Sequence, residues 1–289
     1  MKILVTGANG QLGTELKLHL DPIFHDDVDY TDIDTLDLTD VEAVKKKVRI
    51  GSYSHIVNCA AYTNVDRAEQ EPNLCNAANA DAVKNIASVA SEFGIKVIHI
   101  STDYVFDGKS CHPYRESDKV SPISQYGFSK RNGETLLLSL CPDAIILRTS
   151  WLYSPHGNNF MKTMLRKLAE NRPFGVVADQ VGTPTSVIDL ACAIVTILTA
   201  QQWRAGLYHF SNEGIASWYD FACMIARYSG YDPSVIKPLM TEEYPTLAKR
   251  PQYSVLDKTF FKKTYSYTIP HWVDALLEVL SRTNIQELK

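Results

Sequence analysis

Gly7-Ala8-Asn9-Gly10-Gln11-Leu12-Gly13, set directly after the apolar run Ile3-Leu4-Val5, decides the fold. It reads as a buried strand ending at Thr6, a glycine turn that brings backbone close to a ligand, and a helix whose first N–H groups receive phosphate oxygens. Leu12, Leu16 and Leu20 recur at four-residue spacing and lay that helix on a sheet. The pyrophosphate of a dinucleotide is therefore expected over residues 7–13. A carboxylate about twenty residues further on should take the adenosine ribose hydroxyls. Asp32, after the strand-like Val28-Asp29-Tyr30-Thr31, is the first choice. Asp34 and Asp37 compete with it, and each of the three also reads as a solvated loop acid. Such a carboxylate disfavours a 2′-phosphate only weakly, so the expected cofactor is NADPH or NADH.

Short β-branched or apolar runs at 3–5, 28–30, 55–57, 96–100 and 144–147 read as strands, with helical patterns between them. Val83, Ile86, Ala87, Ala90 and Phe93 give one helix an apolar face, and Thr39-x-x-Glu42 reads as a capping box that opens an earlier one. Alternating β and α units imply a parallel sheet with helices on both faces and ligands beyond the carboxyl ends of the strands. The expected fold is α/β: a Rossmann-like doubly wound parallel sheet with a smaller mixed α/β C-terminal substrate lobe. Residues 1–150 are assigned to the NAD(P)-binding Rossmann domain and 151–289 mainly to the substrate lobe. After Trp151 the rhythm breaks into helical 160–168, apolar helical 190–198, strand-like 207–210, a Ser217-x-x-Asp220 cap and a last helix around 272–280. The Pro- and Tyr-rich stretch 231–253 reads as ordered loop. The helix near 186–200 is apolar enough to return to the first sheet.

The 289 residues, 45% hydrophobic and 21% charged, suffice for one large core and a smaller lobe. A formal net charge of −4 without a long basic run argues against nucleic acid or an anionic membrane as partner. Lys45-Lys46-Lys47 reads as a solvated helix face. No apolar stretch approaches a membrane span, and the first residues enter a strand without a charged-then-apolar leader, so the cytoplasm is the expected compartment. Cys59, Cys75, Cys111, Cys141, Cys192 and Cys223 are scattered, with no C-x-x-C pair and no zinc-ligand spacing. They read as free thiols, mostly buried, and no metal site is expected. His55 and His99 sit beside apolar strand residues and read as core or strand-end histidines.

Tyr126-Gly127-Phe128-Ser129-Lys130 carries the chemistry, since a tyrosine and a lysine four apart on a helix share one face. A phenol of pKa ~10 exchanges protons poorly at neutral pH unless tuned. The Lys130 charge is the expected tuner, because it stabilises phenolate and can also hydrogen-bond the nicotinamide ribose. In a reductase, hydride passes to a carbonyl carbon while Tyr126 gives its proton to the developing alkoxide. Ser101-Thr102-Asp103-Tyr104-Val105-Phe106 leaves the fourth strand at the same edge. Thr102 is the expected second donor to the carbonyl oxygen, with Ser101 as a strand cap, and either hydroxyl also reads as a turn residue. Asp103 reads either as a group that orients others and assists proton transfer or as a buried loop carboxylate.

With these stand Val57-Asn58-Cys59-Ala60-Ala61-Tyr62-Thr63-Asn64-Val65-Asp66, Arg148-Thr149-Ser150-Trp151-Leu152-Tyr153, Gly157-Asn158-Asn159-Phe160, Asp179-Gln180-Val181-Gly182-Thr183-Pro184-Thr185, and the late Leu207-Tyr208-His209, Trp218-Tyr219-Asp220 and Arg250-Pro251. Taken together they resemble the dTDP-4-dehydrorhamnose reductase family, over nearly the whole chain, and the G-x-x-G-x-x-G spacing resembles that of short-chain dehydrogenase/reductase proteins. The resemblance implies reduction of the C4 keto group of dTDP-4-dehydro-6-deoxy-L-mannose to dTDP-L-rhamnose, the last step of dTDP-rhamnose synthesis. It implies catalytic roles for Thr102, Tyr126 and Lys130, with Asp103 beside them. It also implies a phosphate loop of Gly7, Asn9, Gly10, Gln11, Leu12 and Gly13, adenine-side residues Asp37 and Leu38, and cofactor lining by Ala60, Ala61, Tyr62 and Thr63. Sugar-nucleotide contacts fall at or nearest to Val65, Val105, Trp151, Asn159 and Arg250. Trp151 also reads as packing between lobes, and Arg250 as the partner of a surface acid.

Some members of that family dimerise through magnesium held by glutamates. Glu15 fits one ligand position, but Ile188 stands where another is carried, and an aliphatic side chain cannot ligate magnesium. A monomer or a homodimer without that metal is expected, with Glu15 as a helix-surface carboxylate near an N-terminus. Three other functions are weighed. A sugar-nucleotide 4,6-dehydratase needs a further acid/base pair, commonly Asp-Glu after the threonine, and here Asp103 is followed by Tyr104. A 4-epimerase shares the triad but recycles its cofactor. A non-catalytic NAD(P)-binding regulatory subunit resembling the methionine adenosyltransferase β subunit shares the fold and the glycine loop.

Overall fold

The computed structural model describes residues 1–285. The five expected strands form as β1 (Ile3–Thr6), β2 (Val28–Thr31), β3 (His55–Asn58), β4 (Lys96–Thr102) and β5 (Ile145–Thr149). A sixth, Gly206–His209, pairs parallel with β5, giving the order Gly206–His209, β5, β4, β3, β1, β2. This corrects the placing of 207–210 in the smaller lobe. Tyr208 and Phe210 bury their rings in the main core, a tertiary contact that the broken rhythm after Trp151 conceals.

Alternate strand residues divide between the two sheet faces, as the pleat requires. On one face Ile3 and Val5 meet α1 (Gln11–Phe24) through Leu12, Leu16 and Leu20. The Val187–Thr199 helix joins the same cluster through Leu190, Ala191 and Ile194. On the other face Leu4, Ile56, Val97 and Ile146 are covered by α2 (Val41–Gly51) and the Ala82–Phe93 helix. Phe93 departs from its expected apolar face and stays exposed, because the helix ends there on a left-handed Gly94 cap. α2 also opens differently: Asp40 Oδ1 accepts the Glu42 and Ala43 N–H groups at 3.0 and 3.1 Å. Thr39 forms no capping box, since its hydroxyl donates to Asp37 Oδ1 at 2.7 Å.

A third cluster joins the helices Phe160–Ala169, Trp218–Tyr228 and Trp272–Ser281 around Met161, Leu165, Phe221, Ile225 and Leu276. Ser217 and Asp220 form the reciprocal cap expected of them. The stretch 231–253 is not all loop, for Ile236–Leu239 pairs parallel with Phe174–Val177. Pro238 lacks a donor N–H, which hides that edge strand from a sequence pattern.

Glu15 is buried rather than on the helix surface. His19 Nε2 lies 3.0 Å from its Oε1 and His156 Nε2 lies 2.9 Å from its Oε2, so the 154–159 loop covers it. Ile188 packs into the third cluster. All six cysteines are free, but only Cys75 and Cys141 are buried, while Cys111 is exposed. Among the described residues no group of three or more His, Cys, Asp or Glu could hold a metal ion, and no helix is long and apolar enough to cross a membrane.

Candidate active site

β1 delivers the chain to Gly7 at φ +69°, where a Cβ would lie 2.5 Å from Ala60 N. Gly13 is pressed as closely: its Cβ would sit 2.4 Å from Gly7 O. Only hydrogen fits at either place, so the turn folds tightly beneath the exit of β3. Gly10 then caps α1 with no side-chain acceptor, and no acid stands in the first turn. The first-turn N–H groups are thus left to an external anion, which the residues fit. Gly7, Asn9, Gly10, Gln11, Leu12 and Gly13 all line one cleft of about 580 Å³ at the carboxyl ends of the strands.

Asp32 stands just beyond β2 and outside that cleft. Its Oδ2 accepts the Asn9 N–H at 2.8 Å, a direct tie to the glycine turn. Asp37 instead braces its own turn: hydrogen bonds from the Thr39 hydroxyl and N–H hold its carboxyl below the usual range. Leu38 is buried in the core. Ala61, Thr63 and Val65 line the cleft, whereas Ala60 and Tyr62 do not, and the Tyr62 hydroxyl donates to Glu71 at 2.9 Å. Val105 lies outside the cleft, fully buried with Phe106, Tyr114 and Leu256 beneath the loop that follows β4.

Thr102, Asp103, Tyr126, Lys130, Trp151, Asn159 and Arg250 converge on the same cleft. Ser124 caps the Gln125–Leu140 helix by accepting the Gly127 N–H at 3.2 Å. A Cβ on Gly127 would meet Tyr104 O at 2.3 Å, so this helix start is pressed onto the turn that carries Thr102. Tyr126 and Lys130 therefore face the end of β4 together. The Thr102 hydroxyl reaches both the Tyr126 phenol and Asp103 Oδ1, the latter at 3.0 Å. Lys130 Nζ donates to Ile100 O at 2.6 Å.

The electrostatics correct one expectation. Burial pushes the Tyr126 phenol well up, and the Thr102 hydrogen bond opposes that rise. Lys130 is not what tunes it here, since its ammonium is turned to Ile100 O and is itself pulled down to about 8 by burial. Burial also raises the Asp103 carboxyl to about 6, against hydrogen bonds from Ser254 and Thr102.

Contacts between residues distant in sequence shape the cleft. Ser154 Oγ and Asn159 Nδ2 donate to Gln11 Oε1 at 2.9 and 3.0 Å, which ties the 154–159 loop to the start of α1. Trp218 stacks on Trp151 with ring centroids 3.5 Å apart and planes 7° from parallel. Trp151 holds φ +48°, and only the bare Gly182 leaves room for its indole. The cap at Ser217 marks where a helix begins, but not that its first residue lines the cleft. Arg250 lines the cleft and also has the acid partner expected of it: Nη2 pairs with Asp66 at 2.7 Å and Nη1 donates to the Tyr104 hydroxyl at 3.2 Å.

A glycine turn for pyrophosphate, a phenol and hydroxyl side by side, and a buried amine compose a site for hydride and proton transfer to a carbonyl. The sequence matches the family model described as RmlD substrate binding domain over residues 1–285. The chain belongs to that family, which includes the dTDP-4-dehydrorhamnose reductases. It is 40% identical over 288 residues to dTDP-4-dehydrorhamnose reductase of Aggregatibacter actinomycetemcomitans, covering 96% of this chain and 98% of that one. A Streptomyces niveus relative, dTDP-4-keto-6-deoxy-D-glucose reductase, is 38% identical, with 98% of each chain covered. The Bacillus anthracis dTDP-4-dehydrorhamnose reductase, solved in complex with NADP, superposes with a TM-score of 0.94 at 38% identity, covering 98% of this chain and 100% of that one. As an RmlD-family chain, this is a nicotinamide-dependent oxidoreductase with the short-chain dehydrogenase/reductase fold.

Proposed function

We propose that this protein reduces the C4 keto group of dTDP-4-dehydro-6-deoxy-L-mannose to give dTDP-L-rhamnose, using NADPH or NADH. The observation that carries this reading is the convergence of Thr102, Tyr126 and Lys130 on the cleft that the glycine turn opens, in a chain 40% identical to a dTDP-4-dehydrorhamnose reductase. The nicotinamide supplies the hydride when bound. First-turn N–H groups of α1 and Gly7, Asn9, Gly10, Gln11, Leu12 and Gly13 receive the pyrophosphate. Asp32 takes the adenosine ribose, and Asp37 with Leu38 borders the adenine. Ala60, Ala61, Tyr62 and Thr63 carry the chain past the cofactor, with Ala61 and Thr63 in the cleft.

Burial keeps the Tyr126 phenol protonated, the form a reductase needs at the start of turnover. Its proton goes to the C4 oxygen as negative charge develops there, and the Thr102 hydroxyl, swung from Asp103 Oδ1 to that oxygen, donates a second hydrogen bond. Asp103 holds Thr102 from behind. Lys130 binds the nicotinamide ribose and, once turned toward the phenol, stabilises the phenolate left after proton transfer. Arg250, fixed by Asp66, is placed for the substrate diphosphate, while Val65, Trp151 and Asn159 wall the sugar. The work is done in the cytoplasm on a dTDP-sugar. Residues 1–150, with the returning Gly206–His209 strand and Val187–Thr199 helix, hold the cofactor, and most of the remainder holds the substrate.

The Streptomyces niveus relative favours one second reading, in which the ketosugar has the D-gluco rather than the L-manno configuration. Supplying each freshly generated 4-keto-6-deoxy sugar nucleotide with NADPH or NADH separates the two. Stoichiometric cofactor oxidation with the L-manno substrate is expected. No oxidation with either cofactor sinks the reductase reading, and interconversion of sugars without net oxidation marks an epimerase.

A further inference from the structure

Tyr126 and Lys130 begin a longer stripe, because the same helix carries Glu134 four residues beyond Lys130 on the same face. Glu134 is 0% exposed and Arg148, on β5, is 1% exposed. They form a bidentate pair in which Arg148 Nε and Nη2 each donate at 2.7 Å. Ser101 donates its hydroxyl to Glu134 Oε1 at 2.6 Å, and Arg131 Nη1 reaches Oε2 at 3.0 Å. Three consecutive residues of β4 thus grip three successive turns of the helix: Ile100 holds Lys130, Ser101 holds Glu134 and Thr102 meets Tyr126.

Buried ion pairs are weak sources of stability, since apolar residues of the same shape often serve as well. The position of this one suggests what else it does. Lys130 is almost wholly buried and its Nζ bonds a neutral carbonyl. The groups facing it are Tyr126 on its own helix, Cys59 beyond β3, Cys75 from the Pro72–Asn76 helix, and His99 on β4, which burial keeps neutral. Glu134 is the foremost of those that favour its charge, with Arg148 and Arg131 paired behind it.

We propose that Glu134 is a positioning residue, whose carboxylate, fixed by Ser101, Arg148 and Arg131, is the counter-charge that keeps buried Lys130 an ammonium for the cofactor. The proposal rests on the reading above that Lys130 binds the nicotinamide ribose. Its test reads cofactor binding, which needs no sugar to turn over. Burial pulls Lys130 down to about 8 and Glu134 pushes it up, so the ammonium exists below about pH 8 and is lost above it. Removing the Glu134 charge moves that loss to lower pH.

The Kd for NADPH is measured by fluorescence titration from about pH 6 to about pH 10 in wild type, Glu134→Gln and Glu134→Asp. Wild-type affinity should fall as pH rises through about 8. In Glu134→Gln the break should move down by about one pH unit or more. In Glu134→Asp, which keeps the charge, it should stay at the wild-type position. A break that does not move in Glu134→Gln, or that moves equally in Glu134→Asp, overturns the proposal. Where Glu134→Gln does not fold, the double variant with Arg148→Gln removes both buried charges and should still shift the break downward; an unmoved break there is equally fatal. A chain that shows these shifts yet reduces no ketosugar upholds this inference and removes the function proposed above.

Discussion

Gly7→Ala strikes the turn on which the cofactor reading depends. The φ of +69° forces an L-residue into the left-handed region, at about 1–2 kcal/mol. The added Cβ would stand 2.5 Å from Ala60 N and 2.7 Å from Ala60 Cα, both backbone atoms that have no rotamer to change. Restoring ordinary contact displaces the turn by about 0.9 Å relative to the segment after β3. Misplacement of about 1 Å costs on the order of 10²-fold where geometry carries binding, or about 2.7 kcal/mol. NADPH titration by fluorescence should therefore show a Kd weakened about 100-fold, and thermal unfolding a Tm lowered by at least about 2 °C. Gly94→Ala is the control. Gly94 also has positive φ, +67°, but a Cβ there meets nothing within 4 Å, so only stability should drop and NADPH affinity should hold. Wild-type affinity in Gly7→Ala would mean that the turn is not what holds the pyrophosphate.

Tyr126→Phe should lose about 10²–10⁴-fold in kcat with the NADPH Kd unchanged, because the proton donor goes while Lys130 and the glycine turn stay; steady-state kinetics beside cofactor titration check both halves. Asp103 offers a pH test: its carboxyl is raised from 3.8 to about 6, so the folded protein binds the proton more tightly and stability falls as pH rises between those values. Asp103→Asn should therefore be more stable than wild type at pH 7 by up to about 3 kcal/mol. Thermal unfolding across pH should show that gain vanish below about pH 4. Gly182→Ala would put a Cβ 2.6 Å from Trp151 Cε2, pushing the indole into the cleft. The sugar-nucleotide KM should rise about tenfold or more while NADPH affinity stays, and an unchanged KM would free Trp151 from the substrate wall.

The features legible in the sequence are those that local physics dictates. Five strands and the stripe of Leu12, Leu16 and Leu20 follow from apolar period alone. The Tyr126–Lys130 pair follows from helix spacing. What stayed hidden depends on partners distant in the chain. Gly206–His209 joins the main sheet because β5 offers an edge, and Glu15 is buried because His156 arrives from 141 residues away. Trp218 reaches the cleft only once Trp151 and Gly182 stand beside it. Lys130 was expected to tune Tyr126 from their spacing, yet spacing does not report burial, which dominates both groups. Glu134 had its sign in plain view, four residues past Lys130, but its meaning required Arg148 and Ser101.

Hydride delivery to C4 of the sugar with net reduction leaves an isotopic record that labelled cofactor reads. NADPH carrying deuterium at the transferable position, incubated with the protein and dTDP-4-dehydro-6-deoxy-L-mannose, should yield dTDP-L-rhamnose with one deuterium at C4 for each NADPH consumed, read by NMR and mass. Product without deuterium at C4, or sugar conversion without NADPH consumption, would rule out net hydride transfer to C4 by this protein.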